Sequence, residues 1–240
     1  MTRILFPLNA LSSSKRIGTT LAITLGLATS SMAVPITLFN TGVDAGGTVV
    51  PHNTIGDAHY TLTSVPAGST TTTRAITSAG GFPIGPWLGD NTDSRWIGPD
   101  NDRTDSQYAD DDLTGPVGLY EYQTTFDLTG LVPLTALISG RWSADDSGTD
   151  ILLNGVSTGQ TASNYFSWTD FSLSDGFLPG INTITIIVNN SGGGPTGLRV
   201  EMSGTASASV PESGATVALF GLALVGLFGA RRMMQKKAAA

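Results

Sequence analysis

Apolar and polar residues alternate with a period of two through much of the chain between residues 34 and 209. In the stretch TITIIVN (183–189), Ile184, Ile186 and Val188 fall on one face and Thr183 and Thr185 on the other; further on, Leu198, Val200 and Met202 alternate with Arg199, Glu201 and Ser203. A two-residue period held over several positions marks a strand with one buried face. The same pattern predicts strands at 36–39, 59–65, 71–77, 94–98, 119–128, 135–143, 150–154 and 166–173. Between them the chain is rich in Gly, Asp, Asn, Pro and Ser, and Asn154-Gly155 is a strong tight-turn signal. No stretch of 34–209 keeps a helical period for three turns. Short strands punctuated by turns predict an all-β domain, an antiparallel β-sandwich of the jelly-roll kind. The long connections at 80–93 and 99–116 are where such folds place binding sites.

The two ends break this pattern. Arg3, Lys15 and Arg16 precede an apolar run at 17–27, and small residues lead to Ala33. That order predicts a secretory signal over residues 1–33, cleaved before Val34. At the other end, residues 215–230 form sixteen positions without a charge, followed by Arg231, Arg232, Lys236 and Lys237. As a helix the run reaches about 24 Å against a hydrocarbon core of about 30 Å, so the expectation is a minimal transmembrane helix with its basic end in the cytoplasm. The predicted organisation is therefore a signal at 1–33, a sandwich domain at 34–203, a small-residue linker at 204–209 and a tail at 210–240.

Val210, Pro211 and Glu212, then Ser213 and Gly214, then the apolar run and Arg231-Arg232, resemble the PEP-CTERM sorting signal of exported bacterial proteins, in the manner of its VPDSG-like variants. The resemblance covers residues 210–237. It implies export, transient anchoring in the inner membrane through the C-terminal helix, and cutting near the motif by an exosortase, a membrane transpeptidase-like enzyme. The protein would then pass to the cell surface or the extracellular matrix. Val210, Pro211, Glu212, Ser213, Gly214, Arg231 and Arg232 are on this reading recognition residues for another enzyme.

A second resemblance rests on residues 141–190. There Asn154-Gly155 is followed by a loop, an aromatic-rich strand, and then Gly180, Asn182, Ile184, Ile186 and Val188 in a Gly-x-Asn-x-apolar-x-apolar-x-Val order. This is similar to the galactose-binding-domain-like jelly rolls. It implies the fold; the family includes carbohydrate-binding modules and plain structural units, so a ligand does not follow from it.

Composition narrows the partners. All nineteen carboxylates lie between Asp44 and Glu212, against five arginines (Arg74, Arg95, Arg103, Arg141, Arg199) and no lysine, a formal charge of −14. Such a field repels nucleic acid and favours neutral partners and divalent cations. There is no cysteine, so neither disulfides nor thiolate metal sites contribute.

Candidate chemistry is sparse. Gly155-Val-Ser157-Thr-Gly159 fits the nucleophile-elbow spacing, but no helix and no histidine follow it, and it reads as a hairpin exit. Asp145, Asp146 and Asp150 sit around a turn and Glu121 alternates outward, so no pair of carboxylates stands out for glycosidase chemistry. Asp100, Asp102, Asp105, Asp110, Asp111 and Asp112 crowd one loop with hard oxygen ligands suited to Ca²⁺, the one candidate cofactor, with Asp145, Asp146 and Asp150 as an alternative set and a solvated acidic loop as the competing reading. For a glycan, Trp87 is the aromatic expected to be exposed, with Asp90, Asn91 and Arg95 beside it, while Trp96, Trp142 and Trp168 read as packing. The expectation is an exported, non-catalytic envelope or matrix protein associated with exopolysaccharide or biofilm matrix. A carbohydrate-binding module and, more remotely, a glycan-active hydrolase or lyase are the competing readings.

Overall fold

The computed structural model describes residues 32–101, 113–209 and 214–238. Among these are fourteen strands: β1 Ala33–Pro35, β2 Thr54–Ile55, β3 Thr61–Ser64, β4 Thr73–Ile76, β5 Trp96–Pro99, β6 Thr114–Gly115, β7 Gly118–Asp127, β8 Leu131–Asp145, β9 Ser147–Leu153, β10 Val156–Ser157, β11 Thr169–Leu173, β12 Ile181–Asn190, β13 Gly194–Pro195 and β14 Gly197–Ala208. One α-helix, α1, runs over Gly214–Ala238. The chain thus bears out the mostly β, antiparallel reading, with each strand close to an expected segment except β1, β2, β6, β10 and β13. The expected strand at 36–39 is displaced: Ile36 N–H bonds to the Gly204 carbonyl at 2.9 Å, but the ladder ends at Pro35.

Two sheets carry the domain. One has the order β11-β8-β14-β5-β4-β2, with β1 also on β14; the other has the order β10-β9-β12-β7-β3. Every strand pair is antiparallel, the longest unbroken register joining Gly118–Asp127 to Ile181–Asn190 over their full length. Period two explains why they face each other: Ile138, Trp142, Leu198 and Val200 from the first sheet meet Tyr120, Tyr122, Ile151, Ile184, Ile186 and Val188 from the second in one buried cluster. Burying each of these large apolar side chains contributes about 1.5–3 kcal/mol. The Asn154-Gly155 turn between β9 and β10 has positive φ at both residues (53° and 80°), the geometry a two-residue hairpin asks for.

A smaller cluster lies outside this sandwich. Ile76, Ile84, Trp87, Trp96 and Leu113 pack together with Leu88 and Tyr165. Ala75 and Ile97 point into the main core while their neighbours Ile76 and Trp96 point away, so this cluster covers the opposite face of the first sheet. The connection at 78–95 folds over that face.

Two expectations about the C-terminal third are corrected. The linker at 204–209 is strand: β14 continues to Ala208, pairing Ser207 with Val132 and Ala208 with Leu131. Small residues are needed there for packing, since Ala206 is buried and a Cβ at Gly204 would press on Ile138 and Leu38. The helix predicted at 215–230 forms within α1, but among the described residues no helix is long and apolar enough to cross a membrane. Its uncharged part is short, and the remaining turns carry the basic cluster beginning at Arg231. Of the expected signal at 1–33, only Met32 and Ala33 fall within the described residues, and Val210, Pro211, Glu212 and Ser213 lie outside them.

Trp142, at the centre of the core, rests on Gly148 of β9, where any Cβ would overlap the six-membered ring of the indole. Gly148→Ala is therefore expected to lower stability by about 1–3 kcal/mol, read as a fall in the urea midpoint at unchanged m-value.

Candidate functional site

Strands β11, β8 and β14 align their outward polar side chains into rows. Asp170 pairs with Arg141, and Arg141 with Glu201, so an acid–base–acid row crosses three strands; Ser172, Ser139 and Ser203 form the row beside it. Opposite charges facing each other on antiparallel strands attract. Arg141 Nε donates to Glu201 Oε2 at 2.8 Å, with Nη2 at 2.6 Å from the same oxygen. The other carboxylate oxygen accepts from Ser94 Oγ at 2.8 Å and Asn91 Nδ2 at 2.5 Å. Burial opposes a charge on Glu201, but the donors Asn91, Ser94 and Arg141 outweigh it and hold its carboxyl below the ordinary glutamate value. Half-buried Trp168 precedes β11, and the Arg141 guanidinium carbon stands 4.6 Å from its ring centre, a cation–π contact. Around this row lies an open groove of 620 Å³ lined by Asn40, Asp93, Ser139, Arg141, Asp170 and Glu201, among others.

One wall of the groove is built on a buried charge. Arg199 follows the outward alternation of β14 yet is only 1% exposed. Its Nε donates to Ser94 Oγ at 2.8 Å, Nη1 to the Gly89 carbonyl at 2.7 Å and Nη2 to the Ser94 carbonyl at 3.1 Å. Burial brings its pKa down to about 10, partly offset by the nearby Glu201 and Asp90 carboxylates, so it stays charged at neutral pH. The connection at 78–95 is thus tied down at 88–94 by a side chain the alternation alone would place in solvent.

The residues expected to meet a glycan serve this cover instead. Trp87, expected to be exposed, is 4% exposed: its ring lies 4.4 Å from that of Trp96, and Nε1 donates to Asp145 Oδ2 at 2.7 Å. Asp90 accepts from the N–H and hydroxyl of Ser78. Asn91 Oδ1 caps the N–H groups of Asp93 and Ser94, and Arg95 Nη1 bonds to the carbonyls of Asn91 and Ser94. Trp96 and Trp142 are core, as expected, whereas Trp168 is the indole that reaches the groove's arginine. Sequence reasoning missed Arg141, Asp170 and Glu201 as a group because only the register brings them together; the alternation of Arg199, Glu201 and Ser203 was the available signal.

Of the expected calcium ligands, Asp100 is engaged by Arg74 through Nε at 2.6 Å, and Asp102, Asp105, Asp110, Asp111 and Asp112 lie outside the described residues. The alternative set is not brought together: among the described residues no three acidic or histidine side chains are grouped to hold a metal. Asp150, midway along β9, instead accepts from the N–H groups of Ile151 beside it and of Gly159 just past β10. Ser157 sits at the hairpin exit on β10, as expected.

Asp145 and Asp146 occupy the corner where the chain leaves one sheet for the other. Asp146 Oδ2 accepts from the N–H and Oγ of Ser191 at 2.7 and 2.6 Å and from Gly192 N–H at 3.3 Å. Burial opposes its charge, but the Ser191 donors prevail and keep its carboxyl below the usual aspartate value. Asp145 is the reverse case. It is 6% exposed, and Oδ1 is buried without a donor to meet it. Burial, and then the adjacent Asp146 carboxylate, push Asp145 up to about 7 against the pull of the Trp87 N–H. A proton on Oδ1 turns an unmet acceptor into a donor toward Asp146.

Residues 209–234 match the VPDSG-CTERM motif. No curated protein and no solved structure matches the chain. The motif suggests an exported protein and is consistent with membrane-associated processing by an exosortase.

The raised Asp145 gives stability a definite pH slope. Its folded value lies above the ordinary 3.8, so between about pH 4 and 7 the folded state holds a proton that the unfolded state has released, and this group's contribution falls as pH rises through that window. Asp145→Asn can still accept from Trp87 and donate to Asp146. The urea midpoint of the variant relative to wild type is expected to climb from about pH 4 to about pH 7 and level off above it; a difference that stays constant would show Asp145 to be charged throughout.

Proposed function

We propose that the chain is an exported, non-catalytic β-sandwich protein, sorted by an exosortase to the cell envelope or extracellular matrix, where it associates with exopolysaccharide. The observation that carries this is the C-terminal sorting motif, placed directly after the last strand of a closed domain. The domain itself is read as a galactose-binding-like jelly roll. In support, the two halves of the motif that prompted the likeness touch: Asn154 Nδ2 donates to Asn182 Oδ1 at 2.8 Å, and Thr183 N–H donates to Asn154 Oδ1 at 3.0 Å.

Binding is favoured over catalysis by where the protons sit. The groove's glutamate is held charged by its donors, whereas the carboxyl raised toward neutrality, Asp145, is closed in behind Trp87. Hydrolysis of a glycosidic bond wants a protonated carboxylic acid and a carboxylate facing one substrate. The rows of Asp170, Arg141 and Glu201 and of three serines, with Trp168 alongside, instead offer hydroxyl-binding groups and an aromatic ring, the chemistry of a neutral sugar chain.

Two measurements test the reading. Intact mass spectrometry of the native protein from membrane and extracellular fractions should show an extracellular form that begins at Val34 and ends near Glu212, and Pro211→Ala should leave the tail attached; a tail retained in every fraction would refute sorting. Host exopolysaccharide should raise the melting temperature of the wild type in a concentration-dependent way, as binding to the folded state alone requires. Arg141→Ala, expected to cost about 0.2–1 kcal/mol of stability for its partly exposed ion pair, should abolish that gain.

A further inference from the structure

The chain enters and leaves the sandwich at one point. Val34, the first residue left after the expected cleavage, pairs with Ala206 of β14, and Pro35 pairs with Thr205. Ser209 is then pinned: its N–H and its hydroxyl both donate to the Gly130 carbonyl, each at 2.8 Å. With the expected linker consumed by strand, four residues, 210–213, separate Ser209 from the first residue of α1. Fully extended, that connection reaches about 18 Å at about 3.6 Å per residue. Whatever surface holds α1 therefore lies close to this end of the domain.

The chemistry of α1 identifies that surface. Phe220, Leu222, Leu224, Val225, Leu227 and Phe228 are 54–72% exposed, so the apolar side chains go uncovered by the domain, and basic Arg231 and Arg232 follow them. A helix apolar on all sides and ending in cations fits lipid around its apolar part and head groups around its arginines.

The end of the sandwich next to this tether has a matching character. The register shift between Thr205 and Ser207 leaves residues 133–136 of β8 unpaired with β14, and Leu134 in this bulge is 95% exposed. Val156 follows the Asn154-Gly155 turn, and Leu178 and Ile181 lie on the crossing from β11 to β12; all three are exposed. Leu128 N–H donates to the Gly180 carbonyl and Asn154 N–H to the Thr183 carbonyl, which join these segments at one pole. Residues 127–137, 154–157, 174–183 and 205–209 hold two acidic residues, Asp127 and Asp175, and no basic one. The acidic bulk of the domain lies elsewhere and would be turned away from an anionic bilayer.

We propose that this pole, with Leu134, Val156, Leu178 and Ile181 at its surface, docks on the bilayer surface while the C-terminal tail is attached. The inference rests on the sorting reading only for its timing; contact with lipid can be tested on the purified chain without the processing enzyme. Because the chain has no cysteine, single-cysteine variants carry one probe each. Leu134→Cys and Val156→Cys in the full chain, labelled with an environment-sensitive dye, are mixed with vesicles of phosphatidylethanolamine and phosphatidylglycerol. Leu119→Cys, at the opposite end of β7, is the control. The proposal expects at least a twofold, blue-shifted rise in emission at positions 134 and 156, quenched by nitroxide-labelled lipid, with position 119 unchanged. It is overturned if vesicles bind the chain while all three probes stay equally wet, if the chain does not bind vesicles, or if the rise tracks protein concentration without lipid, which would make the pole a contact between copies. A failed result here together with normal tail removal would leave the sorting reading intact.

Discussion

A guanidinium buried to 1% exposure cannot stand alone, and much of the first sheet's outer face is organised by meeting that demand at Arg199. Removing such a charge from water costs several kcal/mol unless hydrogen-bond acceptors and countercharge are supplied. The carbonyls of Gly89 and Ser94 and the hydroxyl of Ser94 supply the first, and Glu201 with Asp90 the second. Holding those groups in place fixes the connection at 78–95, which carries Trp87 down onto Trp96 and its indole N–H onto Asp145. The same cover leaves the stretch of sheet formed by β11, β8 and β14 open as a groove. Core, cover and groove thus share one electrostatic constraint.

Two kinds of carboxyl follow from that arrangement. Glu201 faces the groove among donors and stays ionised; Asp145 is shut in a corner beside another carboxylate and keeps its proton toward neutral pH. Their chemistry differs by environment alone. The partition keeps the retained proton inside the fold and fixed charge on its surface.

The strands were legible where the alternation had one apolar face, as at Ile184, Ile186 and Val188, and the hairpin where Asn154 and Gly155 supplied positive φ. The sorting tail was legible because its signal is linear. What escaped were features decided by register and by cover. Arg199 and Trp87 were misplaced because alternation says which face a side chain takes and nothing about what lies over that face. Residues 204–209 read as a linker because Gly, Ala and Ser are common in flexible segments; here their small size lets β14 pack closely on Ile138. Asp170, Arg141 and Glu201 are separated by about thirty residues at each step of the chain, and only the pairing of three strands makes them a row.

The pinning of Ser209 also has a mechanical meaning. A load applied at that point pulls along β14, which is laddered to β8 from Gly197 opposite Asp145 to Ala208 opposite Leu131, and to β1 on its other side near the exit. Hydrogen bonds pulled along the strand axis share the strain in parallel, whereas bonds peeled from an edge fail singly. A domain tethered at this end would resist extraction by shear, with the tether's force entering a strand paired along its whole length.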